Sequence, residues 1–308
     1  MQFFNRKQII MGVFLIALLL GYTLTVRAAE SWAGDPATGC RIGIVSDNAI
    51  LEAASWSGPM VDGKAEGRGW LQLTLRDQKG AKWRISGSAE CKAGKLDGRV
   101  TLTYSTGEAF AGYYRAGRMS GWGTFKWADG GVYQGEFAND CYEGRGLMRY
   151  ASGDSYDGEW HNGVKHGRGI YQYTDGRRYE GEWQYDLQDG YGTFRHQVEG
   201  WVYEGDWRYG LKEGYGRIKW ADGYIYEGDW RNDQPEGKGM IRWPGGAVYQ
   251  GDFKKGVREG RGVMRYATGD LYYGEWKNDR RHGKGVLKDG NGLTLYQGKW
   301  KNDKPAKR

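Results

Sequence analysis

Four histidines, three cysteines, a recurring Gly-x-Gly and several Asn-Asp pairs are the residues here whose types and spacing could do chemistry. His161 and His166 share a short polar stretch that could meet a metal ion, but no third ligand accompanies them at metal-site spacing. His166 and His282 each precede a Gly-x-Gly, a position held elsewhere by Glu143, Asp189, Glu213, Glu236 and Glu259, so it reads as a variable, solvated loop position. His196 adds no partner to either. The Gly-x-Gly lacks a following helix and a Gly-Lys-Ser/Thr, which excludes a phosphate cradle. Asn232-Asp233 and Asn278-Asp279 lack the ligand series of a calcium loop and read as turns. No catalytic constellation assembles, and the expectation is a non-enzyme with no metal and no cofactor.

The elements that carry these residues repeat. Tyr-x-Gly-acid-aromatic begins at Tyr133, Tyr156, Tyr179, Tyr203, Tyr226, Tyr249 and Tyr272, a spacing of 23 residues with one slip of a single residue. The aromatic closing each is Phe137, Trp160, Trp183, Trp207, Trp230, Phe253 or Trp276. A Gly-x-Gly follows 11 residues after each leading tyrosine, as at Gly190/Gly192 and Gly214/Gly216. A fixed period of this length marks a repeat array, which offers a long surface rather than one pocket. Gly at 54, Trp at 15 and Tyr at 23 of 308 residues, with Pro at only 5, suit short strands joined by tight turns and supplied with burial by aromatics.

Within residues 156–176, Tyr156, Gly158 and Trp160 alternate at period two and share one face of a strand, as do Gly167, Gly169, Tyr171 and Tyr173 on a second. A six-residue polar loop holding Asn162-Gly163 joins them, and Asp175-Gly176 ends the unit. One β-hairpin per repeat, linked in order, gives an all-β antiparallel meander. With Trp160 opposite Gly167, Glu159 faces Arg168, Gly158 faces Gly169 and Tyr156 faces Tyr171. The glycines then form a floor for the indole, and the acid and base form a cross-strand ion pair that recurs as Glu136/Arg145, Asp229/Lys238, Asp252/Arg261 and Glu275/Lys284. Tyr191 and Tyr215 break that pairing. Stacked repeats align the tyrosines and tryptophans into two ladders, and these are the candidate structural or binding residues: Tyr133, Tyr156, Trp160, Tyr179, Trp183, Tyr203, Trp207, Tyr226, Trp230, Tyr249, Tyr272 and Trp276.

On these residues the chain resembles the MORN repeat family over residues 110–308. Two earlier units are degenerate: Trp56-Ser57-Gly58 with Gly67-Arg68-Gly69, and Ile85-Ser86-Gly87 with Gly98, where Leu96 holds the place of the first glycine of the pair. Residues 30–109 are therefore expected to form an N-terminal cap. The resemblance implies an elongated scaffold, spacer or protein-docking array, in some members self-associating or contacting phospholipid, and no catalytic domain accompanies it here.

Arg6 and Lys7 precede an apolar run from Ile9 to Val26, so residues 1–29 read as a signal peptide or a single transmembrane anchor. Both readings place residues 31–308 outside the cytoplasm, secreted or periplasmic if the segment is cleaved and membrane-anchored if not. The formal charge of +7 comes from acids and bases that alternate through the repeats, without the basic stripe that nucleic acid requires. Cys91 and Cys141 fall two hairpins apart, about 19 Å at ~4.8 Å per strand and beyond the ~7 Å reach of a disulfide. The expected bridge is Cys40–Cys91, leaving Cys141 free. The function expected is a non-catalytic scaffold at the cell envelope, engaging an envelope protein or a second copy of itself. The alternative is a glycan polymer or anionic phospholipid bound through exposed aromatics and the basic tail, Lys299, Lys301, Lys304, Lys307 and Arg308.

Overall fold

The computed structural model describes residues 29–46 and 49–306. The signal or anchor segment expected over residues 1–29 lies, but for its last residue, outside that range. No helix among the described residues is long and apolar enough to cross a membrane. The described chain is all-β and groups into two compact units that divide between Val164 and Lys165.

The first unit holds a small sheet of four strands in the spatial order Ala29–Gly34, Arg41–Ser46, Lys64–Ala65, Met60–Val61. Its larger sheet runs from Ala49–Trp56 through Gly67–Asp77, Lys82–Lys92, Lys95–Tyr104 and Ala109–Arg115 to Ser155–His161, consecutive strands pairing antiparallel. The second unit is one antiparallel meander from Val164–Gln172 to Lys304–Pro305. Within each repeat the hairpin turns on two residues in the left-handed region, such as Tyr209-Gly210 at φ 50° and 80° and Asn232-Asp233 at 47° and 65°. Two left-handed residues define the turn whose twist matches that of paired strands. The six-residue loop expected from sequence is thus a two-residue turn, with Arg208 already paired to Leu211 beyond it.

Period-two alternation sets the faces as expected: along Trp201–Arg208, Tyr203, Gly205 and Trp207 are buried while Glu204, Asp206 and Arg208 are exposed. Half of the expected register holds in the described hairpins. Gly205 pairs with Gly216 and Tyr203 with Ile218, but the pairing then jumps to Trp207 with Lys212. The expected tryptophan–glycine pairing occurs instead between repeats, Gly190 with Trp207 and Gly214 with Trp230. The cause is a bulge at the first glycine of each pair, which lies at φ +101° in Gly190 and +82° in Gly214. An inserted left-handed residue shifts the ladder on one side only.

The bulge also re-aligns the degenerate repeat. Gly98 lies at φ +119°, pairs with Tyr114 of the next repeat, and is therefore the first glycine of its pair. The missing second glycine is Val100, which pairs with Ala89. The unit accordingly reads Gly87-Ser88-Ala89-Glu90-Cys91, and Gly87 precedes Phe110 by the regular 23 residues. Leu96 is not a substituted glycine; it faces Cys91 across the hairpin. Cys91 stands where other repeats carry an indole.

Candidate functional site

The ladder aromatics are core. The tyrosines Tyr133, Tyr156, Tyr179, Tyr203, Tyr226, Tyr249 and Tyr272 are 0–1% exposed, and Trp160, Trp183, Trp207, Trp230 and Trp276 are 4–7% exposed. The two ladders interlock. Tyr203 meets Trp207 of its own repeat at 5.1 Å and Trp230 of the next at 5.3 Å, both edge-on, and Tyr226, Tyr249 and Tyr272 repeat the arrangement. It is the tyrosine, not the indole, that lies over the glycine floor. A Cβ on Gly216 would come within 2.6 Å of the Tyr203 ring. The ring reaches that far because its hydroxyl donates to a carbonyl three residues on, Tyr203 to Asp206 at 2.9 Å and Tyr226 to Asp229 at 2.8 Å. Trp56 does the same in the first degenerate repeat, its indole N–H donating to Pro59 at 2.8 Å. Indoles donate to the second glycine of the preceding repeat, Trp230 to Gly216 and Trp160 to Gly146, each at 3.1 Å. Rings held this way have no open face to offer a flat polymer.

The conserved-looking acid of each repeat has a different partner from the one its spacing suggests. Rather than pairing with the base across its own hairpin, its carboxylate accepts the backbone N–H of that residue inside the bulge: Arg145 to Glu136, Tyr215 to Asp206, Lys238 to Asp229 and Arg261 to Asp252, at 2.7–3.3 Å. That explains why Asp206 persists opposite Tyr215, where no ion pair is available. Ion pairs of this acid among the described residues join neighbouring repeats, as Lys238 to Asp252 and Arg68 to Glu90. The residue before each Gly-x-Gly is likewise a cap and not a free loop position. Glu143, Asp189, Glu213, Glu236 and Glu259 accept the first turn amide of the next repeat, from Asn162, Tyr209, Asn232, Lys255 and Asn278, at 2.9–3.0 Å. At His282 in this series, Nδ1 is buried without a hydrogen-bond partner among the described residues.

A third set of caps carries cations into the core. Asp233, Asp279 and Asp303 accept the backbone N–H of Lys212, Arg258 and Arg281, and pair with the same side chains. Lys212 then lies 5.5–5.9 Å from the centroids of the rings it covers, with Trp230 at 5.5 Å and Tyr203 at 5.6 Å. The Arg258 and Arg281 guanidiniums sit 4.4 Å from the centroids of Trp276 and Trp300. These side chains are only 16–19% exposed, so the aspartates of the Asn-Asp turns position a cation over the aromatics. Among the described residues no group of three His, Cys, Asp or Glu is placed to hold a metal ion.

Proton linkage follows from the caps. In the second degenerate repeat, the Arg99 backbone N–H and then the Arg68 guanidinium hold Glu90 below the ordinary glutamate value of 4.5. A carboxyl depressed on folding stabilises the fold above its unfolded pKa and loses that contribution as pH falls through the folded one. Glu90→Gln is expected to melt below wild type at pH 7, with the gap closing as pH drops from about 4.5 downward. Melting curves between pH 7 and pH 3 test this, and a gap that does not change with pH refutes it.

The outer face of the first unit carries exposed rings beside its caps and ion pairs. Gly112 and Gly123 lie against each other, which brings Tyr113 and Trp122 side by side on adjacent strands. They are 50% and 57% exposed. Register places exposed Arg99 beside Tyr113, and Glu136 beside Trp122. Exposed Arg145 follows, its backbone N–H held by Glu136. In the second unit Tyr191 and Tyr215 take the same place, 52% and 55% exposed, with hydroxyls donating to Glu204 and Glu227 at 2.8 and 2.9 Å. Sequence reading missed this ridge, although an aromatic between two glycines was its visible signal.

The MORN repeat profile matches nine consecutive segments, residues 110–132, 133–155, 156–177, 179–197, 203–223, 226–248, 249–271, 272–294 and 296–306. The chain belongs to the MORN repeat family. No curated protein matches it. Solved structures with some likeness include the SAS-4 (dCPAP) TCP domain of Drosophila melanogaster in complex with a proline-rich motif of Ana2, 14% identical over 58% of this chain and 84% of that one, TM-score 0.26. A streptogramin B lyase is 12% identical over 83% of this chain and 89% of that one, TM-score 0.14. At those scores neither carries an argument about this MORN chain. The bulged hairpin, the tyrosine over the glycine pair and the acid cap are the physical content of its repeat.

Proposed function

We propose that this MORN array is a non-catalytic scaffold that engages a protein partner, or a second copy of itself, at the cell envelope, with residues 31–308 outside the cytoplasm. The observation that carries the reading is the Tyr113–Trp122 pair. Other rings are also exposed, Trp70, Tyr185 and Tyr209 among them, but these two stand side by side on adjacent strands, between Arg99 and Arg145. Tryptophan, tyrosine and arginine are the residues on which protein interfaces concentrate their binding energy. A glycan laid on the array would find the ladder rings already covered, so a protein surface is favoured. The envelope location rests on the basic and apolar character of residues 1–29.

The test is crosslinking and capture from intact cells expressing the full chain, with membrane fractions handled separately. Trp122→Ala is expected to reduce recovery of the specific partner at least about tenfold while leaving the melting temperature within a few degrees of wild type. Undiminished recovery would remove the ridge as the docking surface. Recovery of lipid or glycan without protein would replace the scaffold reading.

A further inference from the structure

Cys91 occupies an indole position, yet it is 3% exposed. What covers it is the small sheet of the first unit. Gly43 donates its backbone N–H to Gly94 at 2.8 Å, and Gly94 donates to Ala65 at 2.9 Å. Arg41 pairs with Lys64, and a Cβ on Gly94 would lie 2.9 Å from the Arg41 carbonyl. Gly94 belongs to the two-residue turn, Ala93-Gly94, that Cys91 and Leu96 flank as a paired position. Gly67, two residues beyond Ala65, pairs with Cys91 from the other side. The strand beginning at Arg41 therefore packs on the hairpin end that Cys91 helps to close. Cys40 immediately precedes that strand and is 0% exposed, as are Ile42 on the strand and Ala65 on the neighbouring one.

All three cysteines are free thiols in the structure; we propose that in the oxidised protein Cys40 and Cys91 form a disulfide that fastens the small N-terminal sheet to the long sheet. Cys141 stays a thiol, because it lies two hairpins further along the long sheet. The bond forms by thiol–disulfide exchange. One cysteine thiolate attacks a small-molecule or protein disulfide and releases one thiol; the second cysteine attacks the resulting mixed disulfide and releases the other. Two cysteine protons leave, a Cys40 Sγ–Cys91 Sγ bond forms, and the donor disulfide is reduced to two thiols.

Burial decides when this happens. Desolvation pushes the Cys91 thiol up to about 12, the charge of Cys40 adding to the effect, and desolvation followed by the charge of Asp35 raises Cys40. The thiolate is the reactive form. In the docked state neither thiol ionises at neutral pH or meets an oxidant, so the bond is made before the small sheet docks. It is a staple fixed during folding and not a switch thrown in the folded protein. This inference rests on the geometry of the first unit and stands apart from the scaffold reading.

The experiment refolds the full chain from denaturant in a mixture of oxidised and reduced glutathione, then alkylates free thiols in denaturant without reductant and maps the peptides. The expected result is one alkylated cysteine, Cys141, and a linked Cys40–Cys91 peptide pair. Three alkylated cysteines, or any link through Cys141, overturn the proposal. Reductant is expected to lower the melting temperature of the bridged protein by about 5–15 °C and to leave that of Cys91→Ser unchanged. An equal response in both overturns it. Chain folded with its thiols reduced is expected to keep all three for hours in oxidised glutathione and to form the bridge only on partial unfolding. Rapid bridging of the folded chain overturns the folding-stage assignment.

Discussion

Gly216→Val is expected to destabilise the second unit by about 3–5 kcal/mol, the cost of overpacking plus two lost edge-on ring contacts. The isopropyl group would enter the space of the Tyr203 ring, whose Cζ lies 2.6 Å from the position of a Cβ. Tyr203 has nowhere to yield. Its ring is 0% exposed, edge-on to Trp207 and Trp230 at 5.1 and 5.3 Å, and its hydroxyl donates to the Asp206 carbonyl at 2.9 Å. Moving it breaks that bond and uncouples one repeat from the next. Gly245→Val is the matched control, since a Cβ there meets nothing within 4 Å. Urea denaturation of the two variants beside wild type measures the difference. Equal midpoints for Gly216→Val and Gly245→Val would show that the glycine pair is not a floor for the tyrosine.

The period, the hairpin and the faces of the strands were legible because they are written in residue types at fixed spacing: tyrosine, glycine and tryptophan two apart, and a turn pair after them. The register between glycine and indole was not. Alternation says which face Trp207 takes but not which neighbour it meets, and a left-handed glycine at Gly214 sends it to the preceding repeat. The acid's role was hidden for a related reason. Asp206 bonds a backbone amide, which every residue but proline supplies, so its partner Tyr215 carries no complementary side chain to read. A tenable signal for the buried cations did exist. Turns ending in glycine at Gly210 and Gly256 are followed two residues later by Lys212 and Arg258, and the next turns supply Asp233 and Asp279. The degenerate repeat misled by substitution: with Gly87 in the tyrosine position and Cys91 in the indole position, only the Glu90 bond to Arg99 and the φ of Gly98 restore its alignment.

Trp230→Ala is expected to cost about 3–5 kcal/mol, the range for truncating a buried large aromatic. The indole is 6% exposed and stands between two tyrosines, 5.2 Å from Tyr226 and 5.3 Å from Tyr203. Its N–H satisfies the Gly216 carbonyl at 3.1 Å, and the Lys212 ammonium rests 5.5 Å from its centroid. Alanine opens a cavity between repeats, orphans that carbonyl and leaves Lys212 with less ring surface to cover. Trp230→Phe separates these effects. Phe253 fills the equivalent place in the next repeat, edge-on to Tyr226 at 5.1 Å, so phenylalanine keeps the packing and loses chiefly the hydrogen bond, about 1 kcal/mol. Because repeat arrays are stabilised mainly through nearest neighbours, the damage should be local. Amide exchange in Trp230→Ala is expected to quicken in Trp201–Arg208, Leu211–Lys219 and Ile225–Arg231, while Leu271–Lys277 and Arg280–Lys288 keep most of their protection. Uniform loss of protection from residue 165 onward would mean that the second unit opens as a whole, and that its repeats are coupled more tightly than contact between adjacent rings accounts for.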